Sequence, residues 1–330
     1  MGTKALNFFD MTWKIPTFID VLKARSQIRP FLKPTALLTY PSLDELTGCH
    51  ILVKHENHLP TGAFKVRGGI NLISQLGADE GRRGVISAST GNHGQSVAYG
   101  ARLFGVRSII CVPERPNPAK LESMKNLGAE ILVGGGDFDE AREHCERLAA
   151  KEGYRYIHSG NEPLLIAGVA TAALEVLEEQ PGSEVLLVPV GGGSGAAGAC
   201  IVAKSVNPAL AVIGVQSEGA PAAYRSWKAR QLVEDKMNTW AEGLQTRTAF
   251  ELPQKILWDK LDDLVLVSDE QIRQATRLMI EKTRNLVEGA AAAPLAAALK
   301  LKDRLAGKRV VLMCSGGNLS LEQLRELLNR

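Results

Sequence analysis

Short runs of β-branched and apolar residues alternate along this chain with longer helical stretches, and no other property narrows its possible folds so far. "HILVKHE", "GVISAS", "SIICVP", "AEILVG", "RYIHSG", "EVLLVPV", "LAVIGVQS", "LVLVS" and "RVVLMCS" read as strands. Between them lie helical patterns such as "GQSVAYGARLFG", "PAKLESMKNLG" and "DEAREHCERLAAKEG". Strands that are apolar throughout are covered on both faces, and strands separated by helices pair in parallel. The pattern therefore predicts an α/β protein with open, twisted, mostly parallel sheets flanked by helices. At 330 residues the chain exceeds one ordinary domain, so two α/β domains with a cleft between them are expected. "ARQLVEDKMNTWAEGLQTRTAFELP" is the least periodic stretch and is expected to wind over the surface.

Composition removes several functional classes. Apolar residues at 45% and charged residues at 23% are the balance of a globular protein. The net charge is only +3 and no block of Lys and Arg occurs, which argues against a nucleic-acid surface. None of the five cysteines forms a CxxC pair, and Cys111, Cys200 and Cys314 lie in apolar runs as buried small hydrophobes, a usage that fits a reducing compartment. "MGTKALNFFDMTWK" has no apolar core after a basic start, and "GAAAAPLAAALKL" is too short and interrupted to span a bilayer. These features predict a cytoplasmic enzyme or binding protein, with no membrane partner.

In open α/β sheets ligands sit beyond the carboxyl ends of strands, and several loops there have unusual content. "LPTGAFKVRGG" places Lys65 between Phe64 and Val66, either as a surface lysine at a helix entrance or as an amine held in a pocket. "SASTGNHGQS" offers Ser89, Thr90, Asn92 and His93 as hydrogen-bonding groups, with Gly91 and Gly94 permitting close backbone approach. A loop that opens a helix presents unpaired N–H groups to an anion, although Ser89 or Thr90 could equally be a plain helix cap. "VPVGGGSGAAG" forms a backbone cradle suited to phosphate. It also contains GxGxxG (Gly193, Gly195, Gly198), which admits a dinucleotide site with Glu218 as the nearest acidic ribose partner. "VVLMCSGGNLS" ends a strand at Ser315, which reads as a strand-to-helix turn or as a hydroxyl placed to bond a ring nitrogen. An amine, a phosphate cradle, a polar anion-binding loop and a lone hydroxyl together match pyridoxal 5'-phosphate.

The motifs "HENHLPTGAFKVRG", "STGNHGQS", "VPVGGGSG" and "CSGGN", in that order, resemble the fold-type II pyridoxal-phosphate enzymes, in the serine/threonine dehydratase branch that includes serine racemase. The resemblance runs from "KPTALLTYPSLDELTG" to the C-terminus. It implies a tryptophan synthase β-like fold, with residues 1–83 and 162–330 in a large cofactor-binding domain and 84–161 in a small one. By motif position Lys65 resembles the Schiff-base lysine and Phe64 the residue packed beside the cofactor. Asn92 would bond the phenolic oxygen, while Gly191, Gly192, Gly193, Ser194 and Gly195 would hold the phosphate. Ser315 would face the pyridine nitrogen, and Ser89, Thr90, Gly91, Asn92 and His93 would bind the substrate carboxylate. Glu288 matches an acidic residue near the ring, its other reading being a helix-start carboxylate.

The implied activity is dehydration of a β-hydroxy-α-amino acid to a 2-oxo acid and ammonia, by a homodimer with Lys65 as general base. Thr90 keeps a hydroxyl where threonine dehydratases commonly carry alanine and serine racemase carries serine, so amino-acid racemase is the alternative within the family. A nicotinamide oxidoreductase using GxGxxG, or a catalytically silent ligand-binding protein, is the alternative from another class. The family's divalent-metal site uses acidic side chains around "VQSEGAPAA", where this chain has Gln216 and Ala222, so no metal is expected.

Overall fold

The computed structural model describes residues 14–114 and 118–329. The stretch read for a leader lies, apart from Lys14, outside the described residues. The architecture is α/β with two sheets. Ten strands are present among the described residues: β1 (Leu37–Thr39), β2 (His50–His55), β3 (Val85–Ala88), β4 (Ser108–Val112), β5 (Glu130–Val133), β6 (Arg155–Tyr156), β7 (Val185–Pro189), β8 (Ala211–Ser217), β9 (Asp263–Val267) and β10 (Arg309–Cys314). The larger sheet has the order β1-β2-β10-β7-β8-β9 and the smaller the order β5-β4-β3-β6. All pairings are parallel except β1 with β2. The apolar runs named above account for β2 to β10. Strand β1 escapes the pattern because it is three residues long, antiparallel, and exposed at two of its three positions.

Apolar helices cover the larger sheet as the continuous strands require. Helix Gly289–Lys300 belongs to the cluster on one face, helices Pro163–Glu179 and Ser194–Val206 to that on the other. No helix among the described residues is long and apolar enough to cross a membrane. All five cysteines are free and buried.

The last strand, β10, lies between β2 and β7. This insertion brings the loops that follow His55, Pro189 and Cys314 side by side at the carboxyl edge. Phe64 N donates to Ser315 O at 2.9 Å, and Ala63 bridges Gly316, so the β2 and β10 loops are knitted together.

Candidate active site

Lys65 opens the helix Lys65–Ile73. The turn before it needs Gly62, whose φ is +66° and where a Cβ would lie 2.7 Å from Asn318 Oδ1. The helix is clamped against Pro163–Glu179 by two glycines: a Cβ on Gly68 would meet Leu165 Cδ2 at 2.2 Å, and one on Gly168 would meet Arg67 O at 2.7 Å. Beneath it Arg67 donates to both oxygens of Glu56 (2.6 and 2.8 Å) and of Glu175 (2.6 and 2.8 Å), while Lys54 reaches Glu175 at 2.6 Å. Two acids balance two bases in this buried group, and removing one partner from such a pair costs about 3–5 kcal/mol. The network therefore holds the helix that presents Lys65.

The Lys65 ammonium donates to Ser159 O at 3.0 Å and to Ser194 Oγ at 2.9 Å. Burial pulls its pKa down to about 8. At neutral pH roughly a tenth of it is the free amine, against well under a thousandth for an exposed lysine. That is the amine of a pocket rather than of a surface.

Ser194 begins the helix Ser194–Val206 after the glycine loop. The glycines there are required for different reasons. A Cβ on Gly191 would lie 2.3 Å from Gly243 O, one on Gly192 would lie 2.1 Å from Phe250 Cε2, and Gly193 has φ +86°. The first-turn N–H groups of the helix have no helical acceptors and make an anion cradle, with the Lys65 ammonium at its head. A phosphate with a lysine-reactive group fits this donor set.

The dinucleotide alternative does not fit. Gly198 serves packing, since a Cβ there would lie 2.9 Å from Ala170 Cα. At the end of β8, Gln216 is buried and accepts from Tyr224 N, while Glu218 is half exposed and pairs with Lys300 at 3.8 Å. Asp269, which accepts from Ser217 Oγ at the end of the same strand, is already taken up by Thr239 Oγ1 and Trp240 N.

In the loop after β3, Ser89 Oγ accepts from Gly91 N (3.2 Å) and Gly94 N (2.8 Å), which caps the helix Asn92–Leu103. Thr90 is exposed. Asn92 is committed at both ends of its amide: Nδ2 donates to Glu288 Oε1 at 2.9 Å, and Oδ1 accepts from Asn318 Nδ2 at 2.7 Å. The His93 ring turns inward to Ser87 Oγ at 2.9 Å. Ser87 Oγ spends its proton on Ile157 O, so His93 carries its own on Nε2 and leaves Nδ1 a bare, buried acceptor. Burial, with Lys65 nearby, pushes its pKa to about 3, so the ring is neutral. The expectation that His93 contacts a carboxylate narrows to its backbone N–H.

Glu288 precedes the helix Gly289–Lys300 but makes no side-chain cap. Its half-buried carboxyl turns to Asn92 instead; desolvation raises its pKa, opposed by the Lys120 charge and the Asn92 bond. Ser315 is buried beside Phe64 and Gly195, around one small pocket.

The stretch expected to wind over the surface does so over residues 229–238, and its later part walls the cleft. Gly243 backs Gly191, Phe250 backs Gly192 and Gly160, and Thr246 Oγ1 donates to Gly191 O at 3.4 Å. The Phe250 ring packs edge-on against His158 at 4.9 Å. Burial, aided by the Arg142 and Lys65 charges, pushes the His158 pKa to about 4. Its neutral Nδ1 accepts from Gly160 N and Asn161 N, and so shapes the turn that offers Ser159 O to Lys65. No motif marks these residues; only their packing reveals them.

Among the described residues no group of three or more His, Cys, Asp or Glu could hold a metal ion. At Gln216 the buried Nε2 has no partner, and an amide donor repels a cation where hard ions need oxygen ligands. Chelating divalent ions should therefore leave both turnover and Tm unchanged. A drop in Tm with EDTA, reversed by magnesium, would show Glu218 moving in as a ligand.

These features define a class: an α/β enzyme whose cleft joins a low-pKa lysine amine to a glycine cradle for phosphate. A family model described as "Pyridoxal-phosphate dependent enzyme" matches residues 28–316. An L-threonine ammonia-lyase of Thermotoga maritima is 37% identical over 317 residues, covering 95% of this chain and 78% of that protein. A catabolic L-threonine dehydratase of Staphylococcus aureus is 34% identical over 310 residues, covering 92% and 90%. The crystal structure of serine racemase from Dictyostelium discoideum superposes with a TM-score of 0.88 at 33% identity, covering 93% and 99%. The chain belongs to the pyridoxal-phosphate dependent enzyme family.

Proposed function

We propose that this protein is an ammonia-lyase that dehydrates a β-hydroxy-α-amino acid such as L-threonine or L-serine to a 2-oxo acid and ammonia. The observation that carries the reading is the Lys65 amine, 2.9 Å from Ser194 Oγ at the head of the cradle. Lys65 would hold the aldehyde carbon of pyridoxal phosphate, Gly191 to Gly195 its phosphate, Asn92 its phenolic oxygen and Ser315 its ring nitrogen, with Phe64 flanking the ring and Glu288 steadying Asn92. When bound, the cofactor supplies an electron sink for the pair left at the substrate α-carbon.

The substrate carboxylate would lie on the loop Ser89–His93. Lys65, its pKa already lowered, would take the α-proton at Nζ as general base. Ser159 O and Ser194 Oγ fix where that amine returns. The C–O bond at the β-carbon breaks, and water is lost and then regained as ammonia leaves. Ser315 offers the ring nitrogen a neutral hydroxyl rather than a carboxylate, which favours elimination over transamination. In this reading residues 84–161 form the small domain that carries the substrate loop; the protein works as a homodimer in the cytoplasm.

A panel of β-hydroxy amino acids assayed for 2-oxo acid and ammonia tests the activity, and no product from any of them would sink it. The exposed hydroxyl of Thr90 supports racemase as a second reading, because racemisation needs acid–base groups on both faces of the α-carbon. Thr90→Ala should retain most dehydration, which needs only the lysine face. If the wild type makes D-serine from L-serine faster than pyruvate, and Thr90→Ala loses that conversion, the racemase reading wins.

A further inference from the structure

We propose that Lys120 is a substrate-positioning residue whose ammonium, held over the loop Ser89–His93, takes the α-carboxylate of the bound amino acid. The inference rests on the reading of the site given above.

The loop itself has no cation. The His93 ring is neutral, and its free ring nitrogen is an acceptor. The Asn92 amide already bonds Glu288 and Asn318, its second N–H is the one assigned above to the cofactor, and Ser89 Oγ already accepts two backbone N–H groups. What remains is a set of neutral donors beside the Glu288 carboxyl, a poor place to bring a second carboxylate.

Lys120 corrects that balance. It comes from the helix Pro118–Asn126, yet its side chain is only 12% exposed. Its Nζ lies 3.9 Å from where a Cβ on Gly91 would be. It forms an ion pair with Glu242 across the cleft, and its charge reaches Glu288. An ammonium has three protons, so it can serve Glu242 and a carboxylate together. Arg142, by contrast, pairs with Glu146 at 3.0 Å and Asp139 at 3.9 Å on its own helix.

A second role competes: the Lys120–Glu242 pair, with Arg247–Asp139 at 3.4 Å, could simply fasten the two sides of the cleft. The two roles separate with the holoenzyme, using the visible absorbance of its cofactor to titrate L-alanine, which has no leaving group, and L-alaninamide, which has no carboxylate. Lys120→Met should raise the Kd for L-alanine about 10- to 100-fold and leave that for L-alaninamide unchanged. Its KM for L-threonine should rise more than its kcat falls. Lys120→Arg should restore most of the affinity. Glu242→Gln, which removes the pair but keeps the ammonium, should leave KM unchanged or lower it.

Equal weakening of both ligands in Lys120→Met, or matching losses in Lys120→Met and Glu242→Gln, would overturn the proposal in favour of the fastening role. A colourless wild-type protein would overturn the cofactor reading itself, and this inference with it.

Discussion

Replacing Lys65 with alanine should lower 2-oxo acid formation by about three orders of magnitude or more, because in the proposed reading one substitution removes both the covalent hold on the cofactor and the general base. The wild-type protein should be yellow, and borohydride reduction should fix the pyridoxyl mass on the peptide that contains Lys65. The amine also carries a pH signature. With its pKa brought by burial to about 8, the free amine prevails above that pH. Loading of the apoprotein with pyridoxal phosphate should therefore speed up between pH 7 and 9, with a midpoint near 8. The sign for stability follows. Between pH 8 and the ordinary lysine value of 10.5 the unfolded chain holds this proton and the folded one does not, so Lys65 makes apoprotein stability rise with pH. Lys65→Met should remove that slope. A colourless wild type that binds a nicotinamide dinucleotide tightly would defeat the assignment.

Gly192→Asp should yield protein that purifies without cofactor, its affinity reduced by about a hundredfold or more, a loss of roughly 3 kcal/mol. The structure adds a steric cause to the electrostatic one. A Cβ at this position meets the Phe250 ring at 2.1 Å, so even alanine must displace it. Phe250 in turn packs on His158, next to the Ser159 carbonyl that receives Lys65. Displacement thus disturbs the amine as well as the phosphate cradle. Ser315→Ala should behave differently. It keeps the backbone bond from Phe64 N to Ser315 O and loses only the hydroxyl, so cofactor is retained while kcat falls about tenfold. Equal cofactor loss in the two variants, read from absorbance after dialysis, would show these roles to be misassigned.

Both predictions concern residues legible in the chain, and their legibility has a local cause. A strand covered on both faces must be apolar throughout, so β2 to β10 stand out from the helices between them. A loop that lets backbone approach a ligand must be rich in glycine, so Gly191 to Gly195 and the stretch around Gly91 declare themselves. The buried charges do not. Lys54, Glu56, Arg67 and Glu175 read as ordinary polar residues, and only their mutual pairing makes burial tolerable. Nor does the cleft wall: Gly243, Thr246 and Phe250 lie in an aperiodic stretch whose position depends on what it packs against.

The sequence by itself determined the class of sheet and marked the glycine loops and Lys65 as candidates for a phosphate and an amine site, because each of these signals follows from the preferences of a few adjacent residues. Only the tertiary structure decided which loops meet. Inserting β10 between β2 and β7 sets Ser315 beside Phe64, and burial among distant elements gives Lys65 its lowered pKa and His93 its neutral ring. Strand order and burial are long-range outcomes of packing the whole chain, and no short stretch of residues encodes them.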